Sequence, residues 1–207
     1  MTRPAVSEAP LAPPARARRE GAVRWQDPPI ANAELVARVL AGEAWAQAAL
    51  YFRFADDLGS LALRLTRDED DARDVLQDTF VIAFEQLAKV SDPAKVGGWL
   101  RMILVHRVRR RFRRRRLFRL VGFVQGEEIP LESLARADAS QEVLADLRRV
   151  DRAVSALDDR ERLVWTLRHL EDETLPRIAE LTGISLATVK RDLTRATDHV
   201  KRVMGVE

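Results

Sequence analysis

A nine-residue stretch near the C-terminus, Gly183-Ile184-Ser185-Leu186-Ala187-Thr188-Val189-Lys190-Arg191, restricts the fold more than any other part of the chain. Apolar spacing before it predicts a short helix over Leu175–Thr182. Gly183 suits the left-handed residue that ends a helix, because glycine enters positive φ without a Cβ clash. Ser185 puts a hydroxyl where the next helix needs its N-cap, and that helix is predicted to run from Leu186 to about Met204. Two helices joined by a three-residue turn with Gly make a helix-turn-helix, whose second helix lies in a DNA major groove. Ile178, Ala179, Leu181, Ile184, Val189 and Leu193 are spaced to pack the pair together. Thr188, Lys190, Arg191, Thr194 and Arg195 remain as polar groups, most of them for the outer face. An ordinary helical hairpin with a solvated basic face shares this periodicity. Cap, turn and outward polar residues together favour DNA binding.

Charge is strongly segregated although the net charge is only +3 over 207 residues. Ten Arg and no acid lie between positions 101 and 119, and eight acids lie between positions 68 and 92. Such blocks point to two partners, one polyanionic and one basic. The chain has no Cys, so disulfides and thiolate metal sites are excluded. No window has the length of a membrane span, and the N-terminus lacks an apolar signal core, so a cytoplasmic protein without membrane insertion is expected.

Residues 1–31 read as a disordered Pro/Ala-rich tail, interrupted at Pro4, Pro10, Pro13, Pro14, Pro28 and Pro29, with Trp25 its one large side chain. From Asn32 the apolar residues recur at helical spacing. Gly42 breaks the run, and Trp45, Phe52 and Phe54 in the following helical stretch are expected in the core. A helix over residues 68–90 has the stripe Ala72, Val75, Leu76, Thr79, Phe80, Ala83 and Leu87, with acids at its N-terminus where the macrodipole favours them. Asp74, Gln77, Asp78 and Glu85 lie mostly off that stripe, as a solvated acidic face also would. A short flexible loop over residues 94–98 is expected next, then a helix over residues 99–120. Its apolar stripe, Leu100, Ile103, Leu104, Val108 and Phe112, is surrounded by Arg, the electrostatic footprint of a nucleic-acid surface. Residues 121–140 read as an acidic linker and domain boundary. Helices resume at Gln141, with Asp158 or Asp159 capping one, Glu171-Asp172-Glu173 forming an acidic turn and Thr174 capping the next. The fold class is all-α: two small helical domains joined by a linker, the second carrying the helix-turn-helix.

No catalytic constellation stands out. His106, His169 and His199 fall on separate helices without metal-ligand spacing, and there is no phosphate-binding Gly loop or nucleophile elbow. Neither an enzymatic activity nor a cofactor or metal is expected.

Two separated stretches resemble one family. Asp71-Ala72-Arg73-Asp74-Val75-Leu76-Gln77-Asp78-Thr79-Phe80 is similar to the core-polymerase-binding helix of sigma-70 family factors. Trp99-Leu100 with its Arg-rich helix resembles the element that follows there. Leu157-Asp158-Asp159-Arg160-Glu161-Arg162 with the helix-turn-helix resembles the promoter-binding domain. With only these two domains, the chain resembles an extracytoplasmic-function (ECF) sigma factor. The resemblance implies a region 2-like domain over residues 32–120 and a region 4-like domain over residues 141–207. It implies that Asp74, Gln77 and Asp78 dock on core RNA polymerase. Lys95, Trp99, Arg101, His106, Arg109, Arg110 and Arg113 are its candidates for the −10 promoter element, with Trp99 equally suited to the core. Ser185, Thr188, Lys190, Arg191, Thr194 and Arg195 are its candidates for the −35 element. An anti-sigma factor is the further partner it implies. The chain departs from the pattern at Val96-Gly97-Gly98, at His106 where Asn is usual and at Arg110 where Asp is usual. The alternatives are a stand-alone helix-turn-helix regulator, which leaves the acidic signature unexplained, and an RNA-binding or scaffolding protein driven by the Arg run.

Overall fold

The computed structural model describes residues 29–120, 129–130, 133 and 140–205. The expected tail therefore lies outside the described residues up to position 28, as does most of the expected linker. Among the described residues there are eight α-helices and no strand: α1 (Asn32–Leu40), α2 (Ala44–Thr66), α3 (Glu69–Gln86), α4 (Val96–Leu120), α5 (Gln141–Ser155), α6 (Asp159–His169), α7 (Leu175–Thr182) and α8 (Leu186–Met204). Two 3-10 turns, Leu87–Lys89 and Pro93–Lys95, join α3 to α4.

Helices α1 to α4 pack through the apolar stripes read from the sequence. Leu50, Leu61, Phe80, Leu100 and Leu104 are among the most deeply buried side chains. The expectation for α2 needs correction, because Trp45 and Phe52 are 42% and 44% exposed. Trp45 instead donates its indole N–H to Glu43 at 2.7 Å and lies under the Arg38 guanidinium.

The expected loop over residues 94–98 is also corrected. Asp92 accepts from Ala94 N at 3.1 Å and opens a 3-10 turn at Pro93, which runs directly into α4 at Val96. Val96 is fully buried. Gly97 is helical and lies so close to Phe54 that a Cβ there would meet its ring at 2.8 Å. The glycine serves close packing here, not flexibility.

The C-terminal helices do not form a separate globule. Along α6, Leu163, Val164 and Leu167 belong to the same buried cluster as α1 to α4, together with Ile178, Leu181, Ile184 and Val189. Trp165 joins a second cluster with Ala153, Val154, Leu157, Ala196 and Val200 from α5 and α8. Helix α6 thus has two apolar faces, one toward α2 and α4 and one toward α5 and α8. Arg67, a left-handed residue at φ 56° that closes α2, is 3% exposed. Its side chain donates to the carbonyl of Ile129 at 3.1 Å and to Ser155 Oγ at 2.8 Å, and it pairs with Asp151. This residue ties the end of α2 to α5.

Candidate functional site

The α3 surface begins with its cap. Asp68 accepts from Asp71 N at 2.8 Å, and three further acids occupy the first turn. Asp71 itself is turned inward, its carboxylate 4% exposed, and pairs with Arg111 and Arg115 of α4. Asp74, Gln77 and Asp78 are exposed on one face of α3, and Val81, 47% exposed, continues that face one turn on. Two of these groups have partners: Asp78 pairs with Arg107, and Asp74 Oδ2 lies 3.4 Å from Arg111.

These pairs redistribute the Arg block. The sequence suggests a dense Arg surface around one apolar stripe. Instead Arg107, Arg111 and Arg115, spaced four apart, face the acids of α3. Arg110, Arg113 and Arg114 remain exposed. Arg101 and Arg109 turn toward the C-terminal helices: Arg101 Nη2 reaches Glu171 at 2.7 Å, and Arg109 Nη1 donates to the carbonyl of Thr182 at 2.6 Å.

The seven candidates on and before α4 are therefore not gathered on one open face. Lys95 is largely exposed and sits 3.1 Å from Asp92. Trp99 is half-buried and packs on the core of the first four helices. His106 is exposed overall, but its Nε2 faces the helix-turn-helix turn, 3.5 Å from where a Cβ on Gly183 would stand. Partial burial, then the neighbouring Arg109 charge, holds the His106 pKa below its ordinary value. Arg110 and Arg113 point to solvent.

The helix-turn-helix forms as its local chemistry dictates. Thr174 caps α7, Pro176 lies in the first turn, and Gly183 takes φ 63°. Ser185 then accepts from Thr188 N at 3.3 Å and donates to Thr188 Oγ1 at 2.9 Å. Lys190, Arg191, Thr194 and Arg195 are exposed on α8, and Thr188 is half-buried beside the cap. Thr194 donates its hydroxyl to the Lys190 carbonyl at 3.0 Å. Asp192 went unnoticed in the sequence. Its carboxylate is fully buried and pairs with Arg160 Nε at 2.6 Å, pinning α8 to α6. The available signal was its place on the buried stripe, between Val189 and Ala196.

Among the described residues no group of His, Cys, Asp and Glu is placed to hold a metal ion, and no helix is long and apolar enough to cross a membrane.

Family models match in both halves of the chain. Residues 50–118 match Sigma-70 region 2, and residues 147–200 match Sigma-70, region 4. An RNA polymerase sigma-E factor of Streptomyces avermitilis is 32% identical over 148 residues, covering 70% of this chain and 78% of that protein. The ECF RNA polymerase sigma factor SigM of Mycobacterium tuberculosis is 29% identical over 175 residues, covering 84% of this chain and 85% of that protein. Among solved structures, CnrH in complex with the cytosolic domain of CnrY shares the fold at a TM-score of 0.55 with 25% identity, covering 85% of this chain and 98% of that one. Two family regions in the right order, an all-helical fold that carries both and a relative matched over most of its length make one conclusion. The chain belongs to the sigma-70 family, in its extracytoplasmic-function branch, and acts as a promoter-specificity subunit in transcription initiation.

Proposed function

We propose that this sigma factor divides its work among three faces, each on its own helix. On α3, Asp74, Gln77 and Asp78 dock on a basic surface of core RNA polymerase. Electrostatic matching of this kind speeds and orients encounter. On α4 and the turn before it, Lys95, Trp99, Arg101, His106, Arg109, Arg110 and Arg113 engage the −10 element. Arg and Lys hold phosphates while the opened strand is captured. On α8, Ser185, Thr188, Lys190, Arg191, Thr194 and Arg195 face the −35 element, where Arg reads guanine bidentately. Residues 32–120 and 141–207 are the two working units, joined by residues 121–140 and preceded by the tail of residues 1–31. The protein works in the cytoplasm with polymerase and has no catalytic activity or cofactor of its own. CnrH is in complex with the cytosolic domain of CnrY, and we infer that this chain too has a protein partner, an anti-sigma factor.

One observation carries the reading. The acidic face of α3 and the basic face of α8 are both exposed, while the apolar residues between and behind them are buried. A stand-alone regulator has use for α8 but none for the α3 face. The test is transcription in vitro with bacterial core polymerase and fragmented genomic DNA, with RNA 5′ ends mapped. New starts that share spaced upstream motifs are expected. They should vanish when Asp74→Ala and Gln77→Ala are combined, along with co-elution of the chain with core polymerase. Undiminished co-elution and transcription by that double variant would remove the role given to α3.

A further inference from the structure

Glu171, in the turn between α6 and α7, is held in an unusual way for a surface acid. Its carboxylate is 5% exposed and bridges two helices of the N-terminal half. Arg64 of α2 pairs through Nε with Oε1, and Arg101 of α4 bonds through Nη2 with Oε2 at 2.7 Å. Arg101 Nε also lies 3.1 Å from Glu173. Arg64 and Arg101 keep 34% and 28% exposure, so the site opens to solvent at its rim. Two guanidinium groups from different helices each give one N–H to a separate oxygen of the same anion, donors that suit carboxylate and phosphate alike. The contacts beside it close the same side of α4. Thr182 accepts from Arg109, and Arg177 Nη2 donates to the Gly98 carbonyl at 3.3 Å.

We propose that Arg64 and Arg101 form a phosphodiester-binding site for promoter DNA, which Glu171 occupies as an internal phosphate mimic in the polymerase-free chain. The inference rests on the reading of α4 as the −10 helix. It adds Arg64, on a helix that reading does not use, and it gives the acidic turn a task. A phosphate and Glu171 compete for the same donors, so each disfavours the other by the same factor. Free chain then holds single strands weakly. Displacing the turn uncovers Arg64, Arg101 and Arg109 together.

The test uses the full chain and a labelled, mixed-sequence single-stranded 20-mer, read by fluorescence anisotropy over a range of salt. Glu171→Gln keeps the shape and removes the charge. It should tighten binding about fivefold to tenfold, within the usual range of site-to-site coupling. Adding Arg64→Ala should abolish that gain and reduce the slope of log K against log salt by about 0.7, the value for one lost phosphate contact on a single strand. The chain has no Cys, so Leu40→Cys and Val203→Cys, both at exposed positions on α1 and α8, accept a dye pair that reports separation of the halves. Glu171→Gln should lengthen that distance. Unchanged affinity in Glu171→Gln, or a gain that survives Arg64→Ala, overturns the proposal. Should Glu171→Gln fail to fold by circular dichroism, Arg64→Ala alone in the polymerase-bound protein decides. An unaltered salt slope on promoter DNA then overturns it. The underlying reading fails separately, if Arg110→Ala with Arg113→Ala leaves both strand binding and transcription unchanged.

Discussion

Asp71 lies inside the stretch that resembles the polymerase-docking helix, yet its carboxylate points into the protein. Arg111 and Arg115 both close on it, and Arg115 also bonds Asp68 at 2.9 Å, so the N-terminus of α3 is fastened to the C-terminal half of α4. Removing one member of a buried charged cluster leaves the others without a counter-charge in a poorly hydrated place. That typically costs about 3–5 kcal/mol. Asp71→Asn should therefore lower the unfolding free energy in urea by about 3 kcal/mol or more, and Asp74→Ala, whose partner is 3.4 Å away at the surface, by less than about 1 kcal/mol. Equal losses for the two would contradict the assignment of Asp71 to structure and Asp74 to docking. Gly97 is a second residue whose role is set by packing. A methyl group there meets Phe54 at 2.8 Å, and Gly97→Ala should destabilise by about 1–3 kcal/mol, the usual cost of an overpacked core. Relief of that loss by Phe54→Leu would identify the clash as its cause.

The helices differ in how far their sequences announce them. The bounds of α7 and the start of α8 are marked by local chemistry: Thr174, Pro176, Gly183 and Ser185 each suit a helix terminus, and Arg109 adds a distant donor only at the Thr182 carbonyl. The start of α4 does not. Gly97 and Gly98 signal a break, yet the capped turn before them, the burial of Val96 and the approach of Phe54 accompany a helix there. The aromatic residues of α2 mislead for a related reason. Periodicity marks an apolar face, but Trp45 and Phe52 are exposed and the core is filled by Ala46, Ala49 and Leu50. The Arg run of α4 also has to be seen beside α3 before it separates into structural and open members. On α8 the expected helix and its Ser185 cap are observed, so the expected outcome is specific. Ser185→Ala removes a cap and should cost about 1 kcal/mol of stability. Arg191→Ala and Arg195→Ala should leave stability unchanged. Whichever of them meets a guanine should relax selection at that promoter position by about 1–3 kcal/mol, measured as the ratio of transcripts from matched and mismatched templates. A uniform loss on all templates would instead mark both as phosphate contacts.

At the scale of the whole molecule, the two halves share one core, and their joint carries titratable chemistry. Leu163, Leu167, Ile178 and Leu181 are buried in the same cluster as Leu100 and Leu104. Trp99 reports from one half and Trp165, 7% exposed, from the other. Variants retaining only one of these tryptophans should unfold at the same urea midpoint near neutral pH, as a single cooperative unit does. Acid should part the two transitions. His106 sits at the joint with Nε2 toward Gly183, and burial, followed by the Arg109 charge, lowers its pKa below the ordinary imidazole value. Undocking the C-terminal helices removes that burial and returns the pKa toward its ordinary value. The undocked chain therefore takes up the proton more readily than the docked one. Stability of docking is then fully present above about pH 6.5 and declines as pH falls through the undocked value toward the lower docked one. A dye pair across the halves should show greater separation at pH 5.5 than at pH 7.5. His106→Gln, which cannot titrate, should flatten that change while Glu171 and its two arginines stay intact. A pH response that persists at full size in His106→Gln would show that the imidazole is not its cause.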